Sequence, residues 1–222
     1  MNTAPLYVEI FFIVTTLMTL WIFFKATASS KPTLWLMISW LIIQAGLGLA
    51  GFYLNTTTIP PRMIALIVPP MLLIAGMFFT QKGKQYIDSI DTSLLTLLHT
   101  VRIPVEITLF WLFTAKMVPE LMTFEGRNFD ILSGISAPIV YYFGYKQKLF
   151  GKSILIVWNC LCLGLLLNIV ITAILSVPTT FQQFSFAEPN IGVMYFPFVW
   201  LPCFIVPVVL FSHLVTLRKL VQ

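Results

Sequence analysis

The sequence predicts an all-α membrane protein of seven transmembrane helices. Three observations carry that reading. Of the 222 residues, 59% are hydrophobic and only 9% charged, with a mean hydropathy of +0.94, against about 25% charged residues in a soluble domain. Apolar runs of roughly 20 residues, the length that crosses a bilayer core, recur along the whole chain. No polar stretch is long enough to build a soluble domain of about 50 residues, so residues 1–222 read as a single polytopic domain.

The spans fall at about 5–24, 33–54, 62–80, 94–117, 129–145, 153–176 and 192–216. No basic residue precedes the first run and no small-residue cleavage site follows it, so it reads as a retained span and not as a signal peptide. The second and sixth each contain Leu-Gly-Leu (47–49 and 163–165), and the third and seventh each carry two prolines (Pro69 and Pro70; Pro202 and Pro207). The polar stretch QYIDSIDTS (85–93) is expected to extend the fourth span as a helix on the inner side. The fifth span opens after Gly126, which permits a tight turn, with Asn128 as its cap and Asp130 in its first turn, where the helix dipole favours a carboxylate.

The basic residues sort by side. Lys25, Lys31, Lys82, Lys84, Lys146, Lys148, Lys152, Arg218 and Lys219 fall between spans on one face, and Arg62, Lys116 and Arg127 on the other. The positive-inside rule then puts the N-terminus outside and the C-terminus in the cytoplasm, as an odd number of spans requires. This distribution accounts for the net charge of +5 without a nucleic-acid partner; the expected partner is the lipid bilayer, and the expected location the inner (cytoplasmic) membrane. Spans 1–3 and 5–7 both begin outside and share the Leu-Gly-Leu and the paired prolines, which permits a 3+1+3 parallel repeat with span 4 central. That arrangement resembles the architecture of the SWEET sugar-efflux transporters, although the Pro-Gln dipeptide of that superfamily is absent.

Within span 4, His99, Arg102 and Glu106 fall on an arc of about 60° on a helix, and the register extended backward adds Asp88 and Asp91. Glu106 lies about 18 Å along the axis from Leu94, near the bilayer midplane. A charge there costs about 2.5–3.5 kcal/mol and must face protein or water. Arg102 and Glu106 are spaced to pair at i,i+4, and Pro104 leaves the carbonyl of Thr100 free beside them. Two roles are open for the stripe: a brace between helices, or a substrate, ion or proton path with His99 near the inner mouth. On the outer side Glu120, Glu125, Arg127 and Asp130 form an acidic vestibule in which Arg127 is placed to fasten the loop, and Tyr141 shares a helix face with Asp130 and Ser133.

His213 lies at a depth similar to that of His99. Two such histidines invite comparison with haem or metal ligation, but neither half shows a second pair, so no cofactor is expected and interface packing is the expected role. Span 7 lacks the lysine a retinal Schiff base needs. Cys160, Cys162 and Cys203 lie in apolar segments and read as small core residues, not as a disulfide or metal site. Gln44, Asn159 and Asn168 are polar at depth; the two asparagines point oppositely, and helix–helix hydrogen bonds are expected of them. No Ser-His-Asp set, phosphate loop or HExxH helix is present, which weighs against an enzyme.

Arg102, Pro104, Val105 and Glu106, then Thr123 to Asp130, then Phe196 to Pro202 together resemble a group of uncharacterised bacterial multi-pass proteins. The likeness covers roughly the second half of the chain and implies a bacterial inner-membrane location without an activity. The leading functional expectation is a small-solute or proton-linked transporter with its site at Arg102 and Glu106. A non-transporting scaffold or sensor that binds lipid or a partner protein through the aromatic outer loops is the second, and a membrane enzyme or haem protein the third. Oligomeric state is not legible.

Overall fold

Residues 3–222 are described by a computed structural model that is all-helical, with no strand among them. Eight helices follow in order: α1 (Leu6–Ala26), α2 (Lys31–Leu49), α3 (Ile64–Phe79), α4 (Gln81–Ser89), α5 (Thr92–Thr114), α6 (Ile131–Val140, continued by a π-helical segment Tyr141–Lys146), α7 (Lys152–Leu175) and α8 (Leu201–Val221). Five of them, α1, α2, α5, α7 and α8, are long and apolar enough to cross a membrane, and α3 and α4 qualify together only as a pair bent by 93°. Each of the seven expected segments contains a helix. The last is shorter than expected: it starts at Leu201 and not at 192, because Pro197 lacks a donor and residues 192–194 close a separate 3₁₀ turn.

The stretch 85–93 does not extend the fourth span. α4 ends at Ser89, Ile90 is extended (φ −76°, ψ 139°), and Asp91 starts α5 by accepting from the Ser93 and Leu94 amides at 2.8 and 3.3 Å. Asp88 and Asp91 therefore leave the stripe of His99, Arg102 and Glu106. α4 instead lies across one end of the bundle, with Ile87 and Ile90 buried. Tyr86 meets Thr33 of α2 at 2.8 Å, and its burial pushes the phenol above the usual value, so it stays a neutral hydroxyl. The Asp91 amide donates to the Ala26 carbonyl of α1, while Lys219 of α8 donates to the carbonyls of Asp88 and Ile90 and Arg218 pairs with Asp88 at 3.2 Å. The C-termini of α1 and α8 and the N-termini of α2 and α5 thus meet at one end, the end that holds Lys25, Lys31, Arg218 and Lys219. Replacing Asp91 by alanine removes the α5 cap and lowers stability by about 1 kcal/mol, read as a shift in thermal unfolding.

α8 is the most enclosed of the long helices, with 67% of its apolar stretch buried against 50% for α5. The central position expected of span 4 is therefore shared, and α8 takes the larger part of it. Outward faces are as apolar as inward ones: Leu6, Ile10, Val14, Leu17 and Trp21 on α1, and Ile154, Val157, Leu161 and Ile171 on α7, are exposed. Helices apolar all round are found in large cores or in bilayers.

α5 and α6 approach closely at Gly134. A Cβ there would lie 2.8 Å from Ile103 Cγ1 and 3.0 Å from the Ile103 amide nitrogen. α5 tightens into a 3₁₀ turn over His99–Val101 just before Pro104. These two local features set the relative height of the polar groups that the helices carry.

Candidate functional site

One buried polar cluster lies where α5, α6, α7 and α8 converge. Arg102 is at its centre, 3% exposed. Its Nη1 donates to Asp130 Oδ1 at 2.6 Å and to the Cys162 carbonyl at 3.2 Å, and its Nη2 donates to His213 Nε2 at 2.8 Å. A guanidinium can only donate, so Nε2 accepts and the proton of His213 sits on Nδ1. That Nδ1–H donates to Asn159 Oδ1 at 2.9 Å, and Asn159 Nδ2 donates in turn to the Leu155 carbonyl at 2.9 Å. The charge of Arg102 thereby fixes one histidine tautomer and one amide orientation through a linear chain of bonds.

Glu106 sits one turn from Arg102 but does not pair with it. Its Oε1 accepts from Asn128 Nδ2 at 2.5 Å, while Oε2 has no hydrogen-bond partner among the described residues. The expected Arg102–Glu106 pair is replaced by two others, because the segment before α6 descends into the bundle. Asn128 reaches the level of Glu106 and Asp130 the level of Arg102, two residues apart on one strand of chain. Asn128 Nδ2 also holds the Met122 carbonyl at 3.0 Å and its Oδ1 accepts from the Asp130 amide at 3.1 Å, so the irregular backbone is satisfied where it is buried. Pro104 does not deliver the Thr100 carbonyl to Arg102 either; the carbonyl that Arg102 takes is that of Cys162 on α7.

His99 packs face to face on His213, with ring centroids 3.9 Å apart and planes 16° apart, and Trp158 lies against both rings. Among the described residues neither nitrogen of His99 has a hydrogen-bond partner. Nearly parallel rings direct their lone pairs along parallel lines that do not converge on one ion, and both nitrogens of His213 are already engaged. The two histidines meet as expected of equal depth, and they meet as a packed pair.

A cavity of about 140 Å³ opens beside Glu106. Arg102, Glu106, Asp130 and Asn190 supply its polar lining, and apolar side chains of α3, α5, α7, α8 and the connecting loops supply the rest. Pro202, Val206 and Leu210 are the half-buried α8 residues among its lining. Among the described residues Asn190 Oδ1 has no partner, like Glu106 Oε2.

The profile of a family described as a domain of unknown function, DUF8737, matches residues 59–221. The chain belongs to that family. No curated protein and no solved structure matches it. The DUF8737 segment holds α3 to α8 and every member of the cluster, from His99 to His213, while α1 and α2 lie outside it.

Of the expected outer vestibule, only Glu120, Glu125 and Arg127 stay exposed. Asp130 is 5% exposed and belongs to the interior. Among the described residues Arg127 forms no ion pair with Glu120 or Glu125; it fastens its loop through its carbonyl, which accepts from Asn168 Nδ2 at 2.9 Å. Tyr141 is half-buried under Lys146, whose Nζ lies 5.5 Å from the ring centroid, and it is about 16 Å along the axis from Asp130. It takes no part in the cluster. Asn128, Asn159 and Asn190 are the site residues that sequence reading left outside the site. Asn159 was legible as polar at depth, and Asn128 only as a cap.

Proposed function

We propose that this chain is a proton-linked carrier of a small solute, crossing the inner membrane of a bacterium seven times with its N-terminus outside, and that Glu106 is the group that exchanges protons. The observation that carries this reading is Glu106 itself: a carboxyl 1% exposed, on the wall of a cavity, with one oxygen held by a neutral amide and the other unpartnered. An unsatisfied buried oxygen costs about 1–3 kcal/mol, and it leaves Glu106 an acceptor that a proton or a ligand donor can take. Ionisable groups at bilayer depth mark substrate and proton paths, and transporter sites lie near the midplane. Arg102 and Asp130 form the fixed part of the site, and His213, Asn159 and Cys162 hold Arg102 in place. The basic end formed by α4 and the helix termini beside it supports the orientation.

The test is proton movement in liposomes that contain the purified protein and an entrapped pH dye. Under an imposed gradient, wild type moves protons and Glu106→Gln falls to the level of protein-free liposomes. A Glu106→Gln protein that folds and still moves protons at the wild-type rate removes Glu106 from the mechanism. A second reading, a non-transporting scaffold or sensor, draws support from Phe181 and Phe186, exposed by 60% and 72% in the loop after α7. A partner copurified in stoichiometric amount, with no flux in liposomes, is the outcome that favours it.

A further inference from the structure

We infer that the Glu106 cavity takes a small organic monocation, a primary ammonium with an apolar tail, which replaces the proton on Glu106. The inference rests on the proton-linked carrier reading and names its substrate class.

Charge counting supplies the first step. Arg102 stays cationic and pairs with Asp130 at 2.6 Å, so those two cancel. Glu106 is left over. Once it gives up its proton, the site carries one net negative charge, because the cation that faces Glu106, Arg102 on α5, is already paired with Asp130 at the start of α6; Asn128 faces it from the preceding loop, and the Cys162 carbonyl of α7 and His213 of α8 are bonded to Arg102. One bound monocation restores neutrality as one proton leaves, and no bond other than O–H is broken.

Donor geometry supplies the second. Glu106 and Asn190, whose Oε2 and Oδ1 are buried acceptors without partners among the described residues, both belong to the lining of the same cavity. A primary ammonium brings three N–H donors, whereas a hard metal cation demands about six oxygen ligands that this wall does not offer. The third step is shape. The remaining wall is apolar, with Ile67 and Met71 on α3, Ile174 on α7, and Val206 and Leu210 on α8, so the tail is hydrocarbon. A volume of about 140 Å³ is close to that of engineered cavities, about 150 Å³, that admit a benzene ring.

Benzylammonium is therefore the probe, titrated calorimetrically into the full chain in detergent, with benzyl alcohol as the uncharged comparison. Wild type binds benzylammonium saturably, more weakly as pH falls because protons compete for the same oxygen, and it releases protons into weakly buffered medium as the cation binds. Glu106→Gln weakens binding at least tenfold, a loss of about 1.4 kcal/mol, and abolishes the release. Val206→Phe, which fills the cavity and leaves Glu106 intact, also weakens binding tenfold or more; it keeps the test open if Glu106→Gln does not fold. Equal affinity for benzyl alcohol, or benzylammonium binding unchanged in a folded Glu106→Gln protein, overturns the inference. No benzylammonium binding together with Glu106-dependent proton flux in liposomes rejects the substrate class and leaves the carrier standing; absence of both rejects both.

Discussion

Replacing Arg102 by methionine lowers the stability of the folded chain by about 3–5 kcal/mol, the cost of removing one partner from a buried ion pair. Methionine fills much of the arginine volume, so the loss is one of charge and hydrogen bonds. It leaves Asp130 without its 2.6 Å donor, His213 Nε2 without the bond that fixes its tautomer, and the Cys162 carbonyl without a side-chain donor. The expected readout is loss of the monodisperse species in detergent, or a large drop in its unfolding temperature. Adding Asp130→Asn to Arg102→Met neutralises the orphaned carboxylate and recovers part of the loss. The double exchange Arg102→Asp with Asp130→Arg recovers less, because His213 and Cys162 are placed to receive a guanidinium from α5 and not from α6. A stable Arg102→Met protein that Asp130→Asn does not improve contradicts the account of the cluster.

Gly134→Leu has the second large effect. The added Cβ meets Ile103 Cγ1 at 2.8 Å and the Ile103 amide nitrogen at 3.0 Å. The side-chain atom can turn away, but the backbone nitrogen belongs to α5 and cannot. Overpacking of this kind costs about 1–3 kcal/mol. Here it also pushes apart the two helices that bring Asp130 to Arg102, so the loss lies at the upper end or beyond. Gly164→Leu is the matched control, since nothing lies within 4 Å of a Cβ there, and it leaves the unfolding temperature within a degree or two of wild type. Equal effects at the two positions would show that Gly134 has no special role in seating α6.

The positions of the helices were legible because apolar runs bounded by charge report length directly. Arg102, Glu106, His99 and His213 were legible as polar groups in apolar runs. Their partners were not. Helical spacing put Arg102 beside Glu106, and only the descent of the segment before α6 sends Arg102 to Asp130 and Glu106 to Asn128. That descent depends on Gly134 admitting α5 at Ile103, a contact between residues far apart in sequence that no local periodicity encodes. The same limit explains Asp91: as part of a periodic stripe it extends a helix, while as an Asp followed by Thr-Ser it caps one, and capping won because its carboxylate accepts two backbone amides. The bend of 93° between α3 and α4 likewise needed Thr80 in extended geometry, accepting from the Gly83 amide.

In the proposed carrier, Glu106 exchanges a proton with water while Arg102 and Asp130 stay paired. Infrared difference spectroscopy of the purified chain between acid and alkaline buffer tests this most directly. The expected result is a carboxylic-acid carbonyl band that appears in acid, disappears in alkali, and is missing from Glu106→Gln while surviving in Glu120→Gln and Glu125→Gln. A wild-type spectrum whose carboxylic-acid bands are all unchanged in Glu106→Gln would contradict it and leave Glu106 as a sealed structural group.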